Sequence, residues 1–108
     1  MDRKYVITNQ IQVIVDDATG KDIILHRIKA AKDFNNIKKG DLGGYVASKN
    51  NLSQEGSSWI YDDAVVYGPA FIADDAKIFG DSEICGQTII AGTLEIYDEY
   101  ISDQMLTM

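Results

Sequence analysis

The second half of the chain repeats with a period of six residues. β-Branched residues recur at every sixth position, and Asp or Gly follows two residues later, as suits a tight turn. The residue four positions after each aliphatic is small in the first five repeats. This register predicts short strands joined by bends, three of which close one triangular coil of 18 residues. The aliphatic positions predicted to point inward are Ile60, Val66, Ile72, Ile78, Ile84, Ile90 and Ile96.

The first half has no such repeat. Apolar residues alternate in part over residues 4–15 and return at 23–28, which predicts a β-hairpin with its loop near 16–21. Residues 27–34 fit either a helical turn or an extension of the second strand, and residues 35–44, with three glycines, are predicted to form a loop. Val46 and Leu52 are six apart and begin an imperfect first coil. The eight-residue step from Leu52 to Ile60 predicts a two-residue insertion near 56–58.

These patterns together predict an all-β fold with two parts. Residues 1–44 form an N-terminal β-hairpin region and a junction loop, and residues 45–108 form a short parallel β-helix on which the hairpin packs. Apolar residues near the C-terminus, Met105, Leu106 and Met108, leave the period of six and are expected to cap the last coil.

Residues 59–100 resemble the hexapeptide-repeat family, and the resemblance implies a left-handed parallel β-helix. Three further segments extend the resemblance to uncharacterised hexapeptide-repeat proteins of bacteria and their phages. That group implies a small N-terminal β region, a Gly-rich junction and a coil of variable length, but no single activity. The segments are Gly40-Asp41-Leu42-Gly43-Gly44, Asn51-Leu52-Ser53 and Trp59-Ile60-Tyr61-Asp62.

Composition narrows the class of protein. Hydrophobic residues make up 45% and charged residues 25%, which is typical of a globular domain and excludes a disordered chain. No apolar run has the length of a membrane span, and no secretory signal is visible, so we expect a cytoplasmic protein. The single cysteine, Cys85, fits a reducing compartment and excludes a disulfide scaffold.

Charge is distributed unevenly along the chain. Residues 1–54 carry nine basic and six acidic side chains, a net +3, whereas residues 55–108 carry one basic and eleven acidic side chains, a net −10. The acidic half disfavours direct binding of nucleic acid and favours a basic partner protein.

Histidine content bears on catalysis. Hexapeptide-repeat acyltransferases use a histidine base in the coil region, and the zinc carbonic anhydrases of this fold use three histidine ligands. This chain has one histidine, His26, in the predicted hairpin. The sequence therefore predicts a protein that is not an enzyme and has no catalytic residue, no metal ion and no cofactor.

The outer faces of the coil supply the predicted interaction sites. Residues 18 apart stack on one face, so we expect an aromatic face, a second apolar face and an acidic corner, and the first half adds a basic patch for a ligand. The aromatic face is Trp59, Tyr61, Phe79 and Tyr97, and the second apolar face is Phe71, Ala73, Ile89 and Ala91. The acidic corner is Asp63, Asp81 and Glu99, and the basic patch is Arg27, Lys29, Lys32, Lys38 and Lys39.

From these surfaces the sequence favours a non-enzymatic interaction module, phage-encoded by resemblance, that forms a homodimer or homotrimer and binds or inhibits a basic host or phage protein. Two alternatives stay open. One is an oligomeric protein that binds or sequesters a small molecule at subunit junctions, and the other is a degenerate acyltransferase-like enzyme.

Overall fold

A computed structural model describes residues 3–16 and 19–108, and its regular structure is almost entirely β-strand. The loop expected near 16–21 includes residues 17 and 18, which lie outside the described part; Val15 pairs with Asp22 on either side of it. The strands are β1 (Tyr5–Val15), β2 (Asp22–Ala30), β3 (Leu42–Val46), β4 (Trp59–Ile60), β5 (Val65–Val66), β6 (Phe71–Ile72), β7 (Lys77–Phe79), β8 (Glu83–Cys85), β9 (Ile89–Ile90), β10 (Glu95–Tyr97), β11 (Tyr100–Ser102) and β12 (Met105–Leu106), with one 3-10 turn at Lys49–Asn51.

The strands from β3 onward wind into a three-sided β-solenoid. Its sides are the parallel series β3-β5-β8-β11, β4-β7-β10 and β6-β9-β12. All seven predicted aliphatic residues are buried along the axis, and the small residues from Ala64 to Thr88 are fully buried beside them. The periodicity of the sequence thus predicted the fold class and the inward register correctly.

The spacing of the coils departs from six at both ends. Val46 pairs with Val66 and Leu52 with Ile72, both 20 residues apart, whereas Ile60 pairs with Ile78 at 18, so the predicted two-residue insertion before Ile60 is confirmed. After Ile96 the next inward residues are Ile101 and Leu106, each five residues on, which pair with Ile84 and Ile90. Of the residues expected to form a cap, Met105 and Leu106 therefore continue the coil as β12.

Aspartates at the corners connect one coil to the next. Asp62, Asp74, Asp98 and Asp103 adopt positive φ angles of 52–58°, a backbone conformation that Asp and Gly tolerate best. Their carboxylates accept hydrogen bonds from backbone N–H groups of the neighbouring coil, as Asp62 does from Gly80 at 2.9 Å. The Asp or Gly position of each repeat therefore determines the bend, and where it is Asp it also supplies a contact between coils.

The hairpin continues one side of the solenoid. β1 and β2 pair antiparallel, and β2 pairs antiparallel with β3, giving a six-stranded sheet in the order β1-β2-β3-β5-β8-β11. β2 runs to Ala30, so the extension of the strand is correct and the helical turn is not. Gly43 and Gly44 lie inside β3 rather than in the predicted junction loop. A Cβ on Gly43 would lie 2.6 Å from the Ile60 carbonyl oxygen, so this close approach of β3 to the next coil requires glycine.

Buried polar side chains fasten the hairpin to the first coil. The Lys4 ammonium donates to the carbonyl and hydroxyl oxygens of Ser58 at 2.7 and 3.1 Å, and the Tyr5 hydroxyl donates to the Leu52 carbonyl at 2.5 Å. The Asn51 amide lies below them and bonds the carbonyls of Gly68 and Ala70. No buried side-chain nitrogen or oxygen in the described residues lacks a hydrogen-bond partner.

Candidate functional site

The one imidazole of the chain lies in the middle of the hairpin. His26 is half-buried on β2, opposite Ile11 of β1, and its Nδ1 is 3.2 Å from the Thr8 carbonyl oxygen. Because a carbonyl oxygen only accepts hydrogen bonds, this contact selects the tautomer with the proton on Nδ1. Nε2 then carries a lone pair and can accept a proton. Thr8 lies in the bulge of β1 between Ile7 and Ile11, and no pattern in the sequence predicted its contact with His26.

The predicted basic patch divides into two parts. Arg27 is held in place: its guanidinium donates to Asp63 and to the Gly43 carbonyl, both at 2.8 Å, and lies over the Tyr45 ring at 4.7 Å. The lysines of the patch all have exposed side chains. They are Lys29 at the end of β2, and Lys32, Lys38 and Lys39 on the connection from β2 to β3. A group of exposed ammonium ions on one connection can bind phosphate oxygens as point charges.

The predicted aromatic face is a stacked ladder without its tryptophan. The ring centroids of Tyr61 and Phe79 are 4.4 Å apart, and those of Phe79 and Tyr97 are 4.5 Å apart, with nearly parallel planes. Trp59 is 1% exposed, because Tyr5 and Phe34 of the N-terminal region pack against its ring. The expectation that Trp59 lies on an outer face is therefore wrong.

The second apolar face is only partly open. Phe71 lies beside Ile89 on neighbouring strands, and Ile89 is the more exposed of the two. Ala73 is half-buried and Ala91 is buried. Phe71 and Ala73 line one wall of a shallow groove of about 400 Å³, opposite the insertion that contains Gly56. Whether this face binds a ligand or a partner stays a prediction.

The acidic corner does not form one column. Asp63 pairs with Arg27, and the Asp81 N–H donates to the carboxylate of Asp98 at 2.8 Å. The turn after Asp98 is one residue shorter than the turns before it, so Glu99 lies beside Ser82. The Glu99 N–H donates to the Ser82 Oγ. The 18-residue spacing that placed Glu99 above Asp81 is wrong at this turn. Within residues 3–16 and 19–108, no group of three His, Cys, Asp or Glu side chains is arranged to hold a metal ion.

A polar cluster that the sequence did not predict lies under the hairpin. Cys85 points away from the solenoid axis, as expected, but it is buried because Leu25, Tyr45 and Tyr67 cover it. The Tyr67 hydroxyl donates to Glu83 at 2.6 Å, and burial together with this bond raises the pKa of Tyr67. A cleft of about 250 Å³ opens beside the thiol, between the end of the hairpin and the coil corners. The covering strand is far from Cys85 in sequence, which explains why the repeat alone did not reveal it.

Lys4 is the most strongly perturbed base in the described residues. Its side chain is fully buried, and this burial, together with nearby Lys32 and against the opposing effect of Asp75, lowers the pKa of Lys4 to about 8. All the hydrogen bonds of its ammonium group are to the insertion at 55–58, and the Phe34 ring lies 5.7 Å away. These contacts leave it no path to a substrate, so we assign Lys4 a structural role.

No protein-family model matches the chain. It is similar to an uncharacterised acetyltransferase, YdcK, of Escherichia coli (strain K12), with 37% identity over 71 residues. The match covers 63% of this chain and 22% of YdcK, so the chain spans about a fifth of the length of that relative. The three-sided solenoid and this similarity agree with the hexapeptide-repeat, left-handed β-helix resemblance of the sequence.

The similarity to an acetyltransferase corrects the function expected from the sequence. The prediction of a non-enzymatic, phage-encoded interaction module is contradicted, and so is the prediction that the protein is not an enzyme. The prediction that the protein is not an enzyme depended on the absence of histidine from the coil and treated His26 as a strand residue without a further role, and the interaction module was inferred from the outer faces. Within the described residues, no helix has the length and hydropathy to cross a lipid bilayer.

Proposed function

We propose that the protein acts in acetyl transfer, with a thioester such as acetyl-coenzyme A as donor and an amine or hydroxyl group as acceptor. The observation that carries the proposal is the 37% identity to an acetyltransferase over 71 residues, in a chain that folds as a three-sided β-solenoid. It corresponds to the acyltransferase-like alternative left open by the sequence.

His26 is the residue we assign to proton transfer. An amine or hydroxyl attacks a thioester carbonyl carbon while a base removes its proton, and the carbon–sulfur bond then breaks to release a thiolate, which the same base can protonate. Nε2 of His26 has the lone pair that such a base needs, because Nδ1 carries the proton and donates it to the Thr8 carbonyl. Arg27 and Lys29, its neighbours on β2, are the nearest cationic side chains along the strand.

The exposed lysines of the β2–β3 connection are the candidates for binding the donor. Coenzyme A carries a pyrophosphate and a further phosphate, and exposed ammonium groups attract such anions. Lys32, Lys38 and Lys39 lie together on the connection from β2 to β3, whereas the coil carries a net charge of −10 over residues 55–108. The distribution of charge therefore favours donor binding at the hairpin end. We further propose a cytoplasmic location, where the single cysteine stays reduced.

The proposal is tested by following release of free coenzyme A from acetyl-coenzyme A in the presence of a panel of small amines and hydroxyl compounds. We expect acceptor-dependent release by the wild type. His26→Ala should lower kcat by about 100-fold or more, the usual contribution of a general base. Asn9→Ala, an exposed polar side chain on the same hairpin, is the matched control and should leave the rate unchanged.

The outcomes separate the two parts of the proposal. Absence of acceptor-dependent release by the wild type across the whole panel would overturn acetyl transfer. Release that is equal in the wild type and His26→Ala would support acetyl transfer and overturn the role of His26. A double variant, Lys38→Ala with Lys39→Ala, should raise KM for the donor with little change in kcat, and an unchanged KM would overturn the donor site.

A further inference from the structure

The outer face of the hairpin is an apolar stripe. In the β1–β2 ladder Ile11 lies opposite His26, and Val13 lies opposite Ile24, so these side chains share one face. The alternate residues, including Ile14 and Ile23, pack toward the cluster around Cys85. We define the hairpin stripe as Ile11, Val13, Val15 and Ile24. The side chains of the stripe are 52–58% exposed.

The strand that carries most of this stripe is also the edge of its sheet. β1 is the terminal strand of the six-stranded sheet, and among the described strands it pairs only with β2. Its eleven residues contain no charged side chain and no proline. Edge strands normally carry lysine, proline or a bulge that prevents pairing with another chain. A bulge interrupts β1 between Ile7 and Ile11, but residues 11–15 form a regular segment.

The distribution of charge along the chain indicates which surface of a second copy the β1 edge contacts. The half of the chain that carries the hairpin has a net charge of +3, and the coil half has −10. Two copies that meet coil to coil would bring like charges together, whereas two copies that meet at β1, which carries no charged side chain, keep the acidic coils apart. On β1 the stripe residues Ile11, Val13 and Val15 are all aliphatic, so antiparallel pairing about Val13 sets aliphatic side chains opposite one another, as a two-fold interface requires.

We propose that the hairpin stripe and the β1 edge bind a second copy of this chain. Residues 11–15 of β1 pair antiparallel with the same residues of the other copy about a two-fold axis. The two six-stranded sheets then become one continuous sheet, and the two stripes lie side by side on one face. This inference concerns association alone and does not depend on acetyl transfer.

The experiment measures the mass in solution by sedimentation at about 50 µM, a concentration at which a dimer of micromolar affinity is populated. We expect the wild type to have twice the mass of one chain. Val13→Lys should sediment as a monomer, because it places a charge on the edge and opposite its own copy near the axis. Tyr97→Lys is the matched control, since Tyr97 is 55% exposed and Val13 is 54% exposed, and both changes add one positive charge. It should remain a dimer.

Three results would overturn the proposal. The wild type could be a monomer at this concentration, Tyr97→Lys could be the variant that dissociates, or neither variant could dissociate. Dissociation of Tyr97→Lys alone would assign association to the aromatic ladder instead.

Circular dichroism establishes that each variant is folded. If Val13→Lys does not fold, Val13→Thr serves in its place, because it keeps the β-branched shape while removing apolar surface. We expect Val13→Thr to raise the dissociation constant at least about tenfold, and an unchanged constant would overturn the proposal. Added salt should strengthen the wild-type dimer, since it screens the repulsion between the coils.

Discussion

The solenoid and the hairpin are held together in different ways. In the solenoid every coil repeats the same contacts: an inward aliphatic column, a small-residue column and corner carboxylates that bond the next coil. The hairpin is fastened by contacts that each occur once, such as Lys4 with Ser58 and Arg27 with Asp63. Distributed contacts leave a periodic pattern in the sequence, whereas single contacts leave none. The comparison predicts that the coil fails through its core and the hairpin through its buried polar anchors.

The largest effect should come from a charge placed on the solenoid axis. Ile78 is fully buried at the middle of its column, so Ile78→Asp brings an unpaired carboxylate into a dry core and should unfold the domain. Lys77→Asp, one residue away and partly exposed, is the control and should remain folded. Urea denaturation followed by circular dichroism compares the two. Equal stability of the two variants would show that the inward register is wrong.

The second-largest loss of stability should come from substitution of Asn51, which lies where the first coil meets the second. Its Oδ1 accepts from the N–H groups of Ala47 and Ser48, and its Nδ2 donates to two carbonyls of the next coil. Asn51→Leu has a similar size but leaves the Ser48 N–H and the carbonyls of Gly68 and Ala70 without this partner, while the Ala47 N–H keeps its bond to the Val66 carbonyl. We expect a loss of about 3 kcal/mol or more of unfolding free energy.

The neighbouring Asn50→Leu is the control for this effect. Asn50 is exposed, and its substitution should cost less than about 0.5 kcal/mol. A loss of similar size in both variants would mean that the Asn51 amide does not hold the two coils together.

The Lys4 anchor should make stability depend on pH. Because the folded pKa of Lys4 is about 8 and its ordinary value is 10.5, the unfolded chain binds more protons between these values. The unfolding free energy should therefore rise from pH 8 to pH 9.5, by about 1–2 kcal/mol. Above pH 10 the trend should reverse, because burial raises the pKa of Tyr5 to about 12 and the unfolded chain loses that proton first.

Thermal denaturation at pH 7.5, 8.5 and 9.5 measures this dependence, with Lys4→Met as the comparison. The variant lacks the titrating group and should show no rise over this range. A rise that persists in Lys4→Met would assign the dependence to another group.

The smallest effect should come from one coil corner. Asp62→Ala removes the bond to the Gly80 N–H and leaves at φ 58° a residue that tolerates this conformation less well than aspartate, so we expect a loss of about 1–2 kcal/mol. Asp62→Gly removes the same bond but tolerates the backbone, so it should lose less. Chemical denaturation separates the two contributions. If both variants lose the same amount, the backbone conformation contributes nothing at this corner.

The sequence alone determined most of the solenoid. Its period predicted the three-sided coil, the inward column and the insertion before Ile60, because each 18-residue coil places equivalent residues on the same ladder. Only the tertiary structure decided what covers the outer faces. Trp59 and Cys85 follow the repeat like their neighbours, yet both are buried by strands distant in sequence. The tautomer of the His26 imidazole likewise depends on a carbonyl group of β1, the strand that pairs with β2. Periodicity reports which way a side chain points from the axis, but only long-range packing decides whether solvent or another strand lies there.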